Sequence, residues 1–578
     1  MCGILFYLTS SNIRPNLKTL QFRGPDAFSQ KESGEYTFVF SRLAIVGSGA
    51  TNQWVDTATG IDTTGVQPLD GSNGNLVLAN GEIYNYKELA SGFPLKKFRS
   101  DIDLLTYYDI NDWKSWLPRL NADIAGVIYN EKTKSYIAFR DPTGIKPLYI
   151  GYSQTGDIIG FASLKTALHG AVKIEEFPPG HVYISGNELK PYMTPVNTTP
   201  VHTSHLIQDI QVAKEGIYEY LVASVRRRML HSNVPVAFLC SGGIDSSILL
   251  SIGHMIWTQE LGNDPNTLQV YTMEYDDPTC KATDSFYARL LCEELGVNHT
   301  VVKFTKEDIS THLENILEVL ETDDYRSVRA AVPQYLLARY IRKNTPYRVI
   351  LSGEGADELF MGYNYFYLCP TDTMDSVNES KRLIANLHRY DILRADRTIS
   401  SWGLEIRVPF LDSRFIRFVN SISGKLRNTS IEKELLRTSF EQFAPLQATR
   451  ILDRGKEKFS DGCGLSYIPA LMRIMASKYI DVETNKSSHL LEKYEEQYVK
   501  EWYTQHFPSL TESNHEFREL PSWATNTNKE ASLIQNTIVE ETKAPTTFVS
   551  YSELLNQLNS MPYVSGQGDL VHSLGLEE

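Results

Sequence analysis

The sequence predicts an α+β part built on antiparallel sheets, followed by an α/β part built on a parallel sheet. Short β-like runs broken by turns fill the first 190 residues, with sparse helical pattern between them. After a stretch containing several Thr and Pro residues, strands begin to alternate with helices and continue to do so as far as Leu351.

The runs of the first part are Thr37-Phe38-Val39-Phe40, Leu43-Ala44-Ile45-Val46, Leu76-Val77-Leu78-Ala79, Ala125-Gly126-Val127-Ile128-Tyr129 and Tyr136-Ile137-Ala138-Phe139. Their β-branched and aromatic content, bounded by turns, argues for antiparallel strands. Residues 1–190 are therefore read as one domain, and Pro191 to about His205 as a linker. Val212 to Leu230 places Ile217, Leu221 and Val225 on one helical face. Strands are then expected at Val236–Leu239, Leu268–Met273, Thr300–Phe304 and Arg348–Leu351, with helices starting at Ser247 and Asp284. This alternation argues for a parallel sheet with helices on both faces. The segment 365–480 reads as mostly helical, and the second domain as 206–535. The tail, 536–578, holds Lys543-Ala544-Pro545 and an amphipathic run from Tyr551 to Leu558, to which no role is assigned.

With 578 residues the chain has ample length for two to four domains. A net charge of −14 argues against a general nucleic-acid binder. Six cysteines without a CxxC pair fit free thiols in a reducing compartment better than a disulfide frame or a zinc site. No basic segment leads into an apolar one at the start, and no apolar run approaches membrane-spanning length, so a cytoplasmic protein without a membrane partner is expected.

Two motifs carry chemistry. Once Met1 is removed, Cys2 bears a thiol and a free α-amine on one carbon, and the amine can act as the built-in base for its neighbouring nucleophile. Three loops accompany it: Arg23-Gly24-Pro25-Asp26, Arg42-Leu43-Ala44-Ile45-Val46 and Asn80-Gly81-Glu82-Ile83-Tyr84-Asn85. With Ser100-Asp101 and Arg140-Asp141-Pro142-Thr143-Gly144-Ile145-Lys146-Pro147-Leu148-Tyr149, these resemble the class II glutamine amidotransferases, whose N-terminal-nucleophile αββα domain frees ammonia from glutamine. The resemblance assigns the oxyanion donors to the Asn80 side chain and the Gly81 N–H, as amide hydrolysis requires. It assigns the glutamine contacts to Arg42, Leu43, Ala44, Ile45 and Val46 with Asn80, Gly81, Glu82 and Asp101. A cation for the carboxylate and anions for the ammonium are thereby supplied. Phe22 and Ser41 stand where relatives commonly carry histidine.

The second motif, Ser241-Gly242-Gly243-Ile244-Asp245-Ser246-Ser247, follows an apolar strand and precedes a helix. Small residues there let backbone N–H groups and a helix start face phosphate. The spacing is not that of a Walker A loop. It resembles the ATP-pyrophosphatase loop instead. Ser352-Gly353-Glu354-Gly355-Ala356-Asp357-Glu358 should lie at the carboxyl edge of the same sheet. It is followed by Leu393–Arg397, Trp402–Asp412 and Lys456–Gly462. Taken in order, the blocks resemble the glutamine-hydrolysing asparagine synthetase family over roughly residues 1–535.

That resemblance implies glutamine, aspartate and ATP as substrates, with Mg²⁺, and a homodimer as a candidate assembly. ATP would adenylate the aspartate β-carboxylate, and ammonia arriving by an internal tunnel would displace AMP. Leu239 and Met273 would contact adenine, while Ser241, Gly242, Gly243, Asp245, Ser246, Ser352 and Gly353 hold the nucleotide. Asp245 and Asp357 would hold the metal, Glu354 would assist acyl transfer, and Lys456 would neutralise developing phosphate charge. Glu405 and Arg407 read equally well as a structural ion pair. Relatives carry Thr-Thr where this chain has Arg326-Ser327. A β-lactam-synthetase-like enzyme, an amidotransferase acting on another carboxylate, and a non-catalytic interaction protein are the alternatives. Intact Cys2, Asp245 and Lys456 disfavour the last of these.

Overall fold

In a computed structural model, the chain is described over residues 1–47, 65–93, 96, 98–186, 189–193, 206–277, 283–370, 374–455, 464, 467–484, 487–507 and 519–525. Its first strands are β1 (Gly3–Leu8), β2 (Ala27–Ser33), β3 (Tyr36–Arg42), β4 (Leu69–Asp70), β5 (Asn75–Ile83) and β6 (Ala122–Asn130). They are followed by β7 (Ser135–Arg140), β8 (Tyr149–Tyr152), β9 (Ile158–Ala162), β10 (Lys173–Glu176), β11 (His181–Ile184) and β12 (Leu189–Pro191). Two antiparallel sheets result, ordered β10-β8-β9-β1-β3-β2 and β12-β11-β7-β6-β5-β4.

Side-chain alternation explains the layering. Ile4, Phe6, Phe38 and Phe40 face Leu76, Leu78, Val127 and Tyr129 across the gap between the sheets. The intervening residues point outward: Leu5 and Val39 pack beneath Leu20, and Val77 and Ala79 beneath Leu104 and Leu105. A strand's period of two sends successive side chains to opposite faces, so both faces of each sheet are covered. This is the expected αββα arrangement.

The second half is built on β13 (Val236–Leu239), β14 (Gln269–Tyr275), β15 (Asn298–Phe304), β16 (Val349–Leu351) and β17 (Glu405–Arg407). All five are parallel, in the order β15-β14-β13-β16-β17. The chain leaves β13 toward β14 on one side and later returns to β16 on the other. The loops after β13 and β16 therefore flank a topological switch point, where ligands enter such sheets. The helix Ile210–Leu230 opens this half, with the Asp209 side chain accepting from Gln211 N and Val212 N.

One expectation needs correction. Leu43–Val46 is not a strand: β3 ends at Arg42, and the chain is drawn away so that Asn233 N donates to Ile45 O and Asn233 Oδ1 accepts from Gly47 N. The region 365–480 is mostly helical over its described residues, as expected, with helices at Asp375–Asn386, Asp391–Ser400 and Tyr467–Ala476, and β17 as a short strand among them. Three residues are too few for a periodic signal, and β17 exists because β16 offers it an edge.

Met1–Ala524 form one compact unit, and one apolar cluster joins Met1, Leu43, Ile45 and Ile145 of the first half to the second. Buried ion pairs cross the same boundary. Arg23 makes two contacts to Asp396, at 2.6 and 3.1 Å, and its Nε donates to Cys2 O. Arg228 of the second half pairs with Asp123 of the first at 3.1 Å, and with Asp412 of its own half at 2.8 Å. Burial pushes the Asp396 carboxyl up, but Arg23 outweighs it and holds the pKa below the ordinary value.

Removing one member of such a pair leaves a buried charge without its partner. Asp396→Ala should therefore cost about 3–5 kcal/mol in denaturant unfolding. A depressed folded pKa makes this contribution complete above the unfolded value of about 3.9 and lost as pH falls through the folded one. The gap between variant and wild type should accordingly narrow below about pH 4.

Candidate active site

Cys2 lies at the start of β1, beside the end of β3 and the middle of β5. Leu43 N donates to its Sγ at 3.4 Å, and Cys2 N donates to Asn80 Oδ1 at 2.9 Å. Asn80 is fully buried, and its Nδ2 has no hydrogen-bond partner. An orphaned donor is costly unless a ligand completes it, and this one sits next to a nucleophile. Burial pushes the Cys2 thiol pKa up, while the nearby amino terminus and the Leu43 N–H act against this. Gly81 follows at φ +151°, and a Cβ there would lie 2.2 Å from Asp123 O. Only glycine lets β5 approach β6 so closely at that point.

Asp26 Oδ2 accepts from Ala44 N at 2.8 Å, holding the Arg42–Val46 segment over this site. Arg42, Leu43 and Ile45 are buried, and Ala44 and Val46 partly so. Asp101 Oδ2 accepts from Ile83 N at 2.7 Å, which places this carboxylate beside Glu82. Facing both is His231, which follows the helix Ile210–Leu230 of the second half. Its Nε2 is 3.0 Å from Glu82 Oε2 and 3.5 Å from Asp101 Oδ2. Arg407 Nη2 lies 3.6 Å from Glu82, and its Nε contacts Glu405 at 2.8 Å. Burial and Asp101 push Glu82 up to about 7, against the pull of His231 and Arg407. Glu405 and Arg407 thus do form a buried ion pair, to which Lys146 adds at 3.4 Å.

A cleft lies at the switch point. Leu239, Ser241, Gly243, Asp245, Ser246, Met273, Ser352, Gly353, Glu354 and Asp357 all line it. Gly242 sits behind them at φ +70°, where a Cβ would meet Ala288 N and Tyr287 Cβ at 2.6 Å. A Cβ on Gly353 would stand 3.2 Å from Asp245 Cβ, so the loops after β13 and β16 nearly touch. Glu354 is held by Arg394 at 3.1 Å; burial raises its pKa, and Arg394 opposes that.

A divalent cation such as Mg²⁺ needs hard oxygens directed at one point. Asp245 and Asp357 provide them: Lys433 Nζ lies 2.6 Å from the first and 2.7 Å from the second. Glu432 adds a third carboxylate 3.6 Å from the same nitrogen, and Asp245 Oδ1 is buried without a hydrogen-bond partner. Glu432 is also paired with Arg437, so Asp245 and Asp357 against the one Lys433 ammonium leave the pocket negative, and this donor pair fits the ion. Burial opposes the Lys433 charge, but Asp245 and Asp357 outweigh it and raise its pKa.

Lys456 lies outside the described residues, as do the segment 194–205 and the tail 526–578. Arg326 is exposed over the Tyr325 ring, and Ser327 Oγ donates to Asp324 Oδ2 at 2.6 Å; neither lines the cleft. Phe22 is exposed and lines a separate cavity of 440 Å³ with Tyr335 and Trp402. Sequence reasoning missed Lys433, Arg394 and His231. Lys433 lies in the charge-alternating Glu432-Lys433-Glu434, which reads as a solvated face, yet it is buried at φ +52°.

A cysteine site of this kind, docked on a sheet with a phosphate-facing loop, defines an amidotransferase joined to a nucleotide-dependent ligase. The glutamine amidotransferase domain family matches residues 1–228, and the asparagine synthase family matches 216–381 and 371–530. The chain is 31% identical over 534 residues to a mimivirus protein named as a glutamine-hydrolysing asparagine synthetase, covering 86% of this chain and 92% of that one. A Dictyostelium discoideum protein of the same name is 33% identical over 521 residues, covering 84% and 89%. An Arabidopsis thaliana asparagine synthetase is 32% identical over 492 residues, covering 82% and 80%. The chain belongs to the glutamine-hydrolysing asparagine synthetase family.

Gly242→Ala should destabilise the protein by about 1–2 kcal/mol from the backbone conformation alone. The contacts with Tyr287 and Ala288 should add to that. A fall in thermal transition of about 2–4 °C per kcal/mol would register it.

Proposed function

We propose that the protein makes asparagine from aspartate, glutamine and ATP, through ammonia released at Cys2 and an acyl-adenylate formed at the switch-point cleft. The observation that carries this reading is the buried, unpartnered Asn80 Nδ2 beside Cys2, in a chain whose second half presents an acidic cleft at a phosphate loop. The residues divide as 1–190 for the amidotransferase, 191–205 for the linker, 206–535 for the synthetase and 536–578 for a tail. Support comes from the antiparallel sheets ending at Pro191 and the next helix beginning at Ile210.

The geometry supports the following steps. With Met1 removed, the Cys2 amine takes the thiol proton and Sγ attacks the glutamine amide carbon. Asn80 Nδ2 and the Gly81 N–H stabilise the resulting oxyanion, ammonia leaves, and water cleaves the thioester to glutamate. Arg42 takes the glutamine carboxylate, and Glu82 and Asp101 take its ammonium.

In the cleft, Leu239 and Met273 flank the adenine, and the Ser241–Ser246 and Ser352-Gly353 loops hold the phosphates. Asp245 and Asp357 would hold Mg²⁺, which when bound would supply charge neutralisation for pyrophosphate departure. Aspartate's β-carboxylate oxygen attacks the α-phosphorus, and its bond to pyrophosphate breaks. Ammonia, travelling inside the protein, then attacks the acyl carbon, AMP leaves, and Glu354 accepts the proton. Lys456 supports the phosphate charge. Free thiols at Cys2, Cys240, Cys292 and Cys369 suit the reducing cytoplasm.

Two measurements test this. Cys2→Ala should abolish glutamine-dependent synthesis and retain synthesis from added ammonium; equal loss of both would contradict separate sites. Pyrophosphate release should require aspartate when aspartate, other acids and no acid are compared. Release with a different acid alone would overturn the asparagine assignment.

A further inference from the structure

Glu82 and Asp101 do not face open solvent; they face His231, brought in from the other half. The ligand atoms of the three residues lie within 4.8 Å of one another. Two tyrosines box the imidazole edge-on, Tyr84 at 5.6 Å and Tyr86 at 5.3 Å between ring centroids. The backbone behind it is fixed, because Arg407 Nη1 donates to His231 O and to Arg228 O at 2.6 Å. Every element around the ring thus contributes a charge or a dipole. Glu82 and the tyrosines come from the end of β5 and the turn after it, and Asp101 from the following loop. Arg407 comes from β17, with Glu405 beside it. Arg228, one turn back in the helix, is itself paired with Asp123 and Asp412.

This compartment already contains a cation where the substrate's ammonium is expected. An imidazolium and an ammonium a few ångströms apart before the same two carboxylates repel each other. The two can share the site only if one loses its charge, and of the two the imidazole gives up its proton more readily near neutral pH.

We infer that His231, a residue of the synthetase half, is the third side chain of the glutamine ammonium subsite and releases its proton when glutamine binds. This rests on the reading that Glu82 and Asp101 receive the ammonium. The step balances: one proton leaves the imidazolium for solvent as one ammonium enters, so the charge of the subsite is unchanged. His231 is a positioning residue in this role, since the thiol and the scissile amide are handled elsewhere. Burial opposes its charge, but the two carboxylates outweigh that and hold its pKa up at about 9.

The experiment is glutamine binding to the full-length Cys2→Ala protein by calorimetry, repeated in two buffers of different ionisation enthalpy at pH 8.2. That pH lies above the value of about 7 for Glu82 and below that of about 9 for His231, so the imidazolium holds the exchangeable proton. The amine of residue 2 and that of glutamine are common to all variants and cancel in comparison. Cys2→Ala with His231→Gln should release at least about half a proton fewer per glutamine than Cys2→Ala alone. His231→Lys in the same background carries a charge it cannot give up at this pH. It should bind glutamine at least about tenfold more weakly than the parent, which also covers the case of a misfolded Gln variant. Equal proton release in parent and Gln variant, or undiminished affinity in the Lys variant, overturns the inference. Absence of glutamine binding to Cys2→Ala itself overturns instead the glutamine-site reading.

Discussion

Arg407 and Glu405, two residues apart on the edge strand β17, form the buried charge centre on which the rest of the arrangement depends. Glu405 meets Lys146 of the first half, and Arg407 reaches toward Glu82. The Arg407 guanidinium also has a second task. Its Nη1 caps two carbonyls at the end of the helix Ile210–Leu230, groups that a helix C-terminus otherwise leaves unsatisfied. A cation there complements the helix dipole as well. The Arg407 carbonyl in turn accepts from Ser352 N at 3.0 Å, at the start of the second nucleotide loop. One residue therefore reaches Glu82 through its side chain and the Ser352 loop through its backbone.

Buried pairs of this kind seldom add net stability over apolar replacements, because desolvation consumes much of the Coulomb gain. What they do impose is a single register. Burial pushes the Glu405 pKa up, yet Lys146 and Arg407 bring it to about 2, so the carboxylate stays charged throughout the physiological range. Sliding the halves would take Lys146 from Glu405 and leave Arg23, Asp396 and Asp123 without the partners they have across the boundary. Shape and charge thus agree on one docking, and the apolar cluster containing Met1, Leu43 and Ile45 closes around it.

The sheets were legible because alternation in strands such as β3 and β5 leaves a local signature, and the parallel sheet because strands alternate with helices. The Ser241 and Ser352 loops were legible because small residues follow apolar strands. Legibility failed where distant partners decide the outcome. Leu43–Val46 has strand composition, yet Asn233, nearly two hundred residues away, determines its path. His231 is a lone histidine until the helix end carries it to Glu82. Lys433 adopts a left-handed backbone conformation that its side chain disfavours. Such strain persists only where surroundings over-determine it, here through Asp245, Asp357 and Glu432.

The proposed removal of Met1 carries a physical requirement for the order of assembly. Met1 is 1% exposed; its Sδ lies 3.0 Å from Lys146 Nζ, and its amine lies 3.5 Å from Leu404 O in the second half. A peptidase cannot reach a residue enclosed in this way, so removal precedes the closing of the two halves. Burial also lowers the pKa of this amine to about 6, so it is poorly charged where it stands and contributes little as a cation to Glu405. Loss of Met1 leaves Lys146 and Arg407 as the cations that hold Glu405. The interface would keep its charge balance without Met1, and the thiol at position 2 would gain the amine that its proposed role requires.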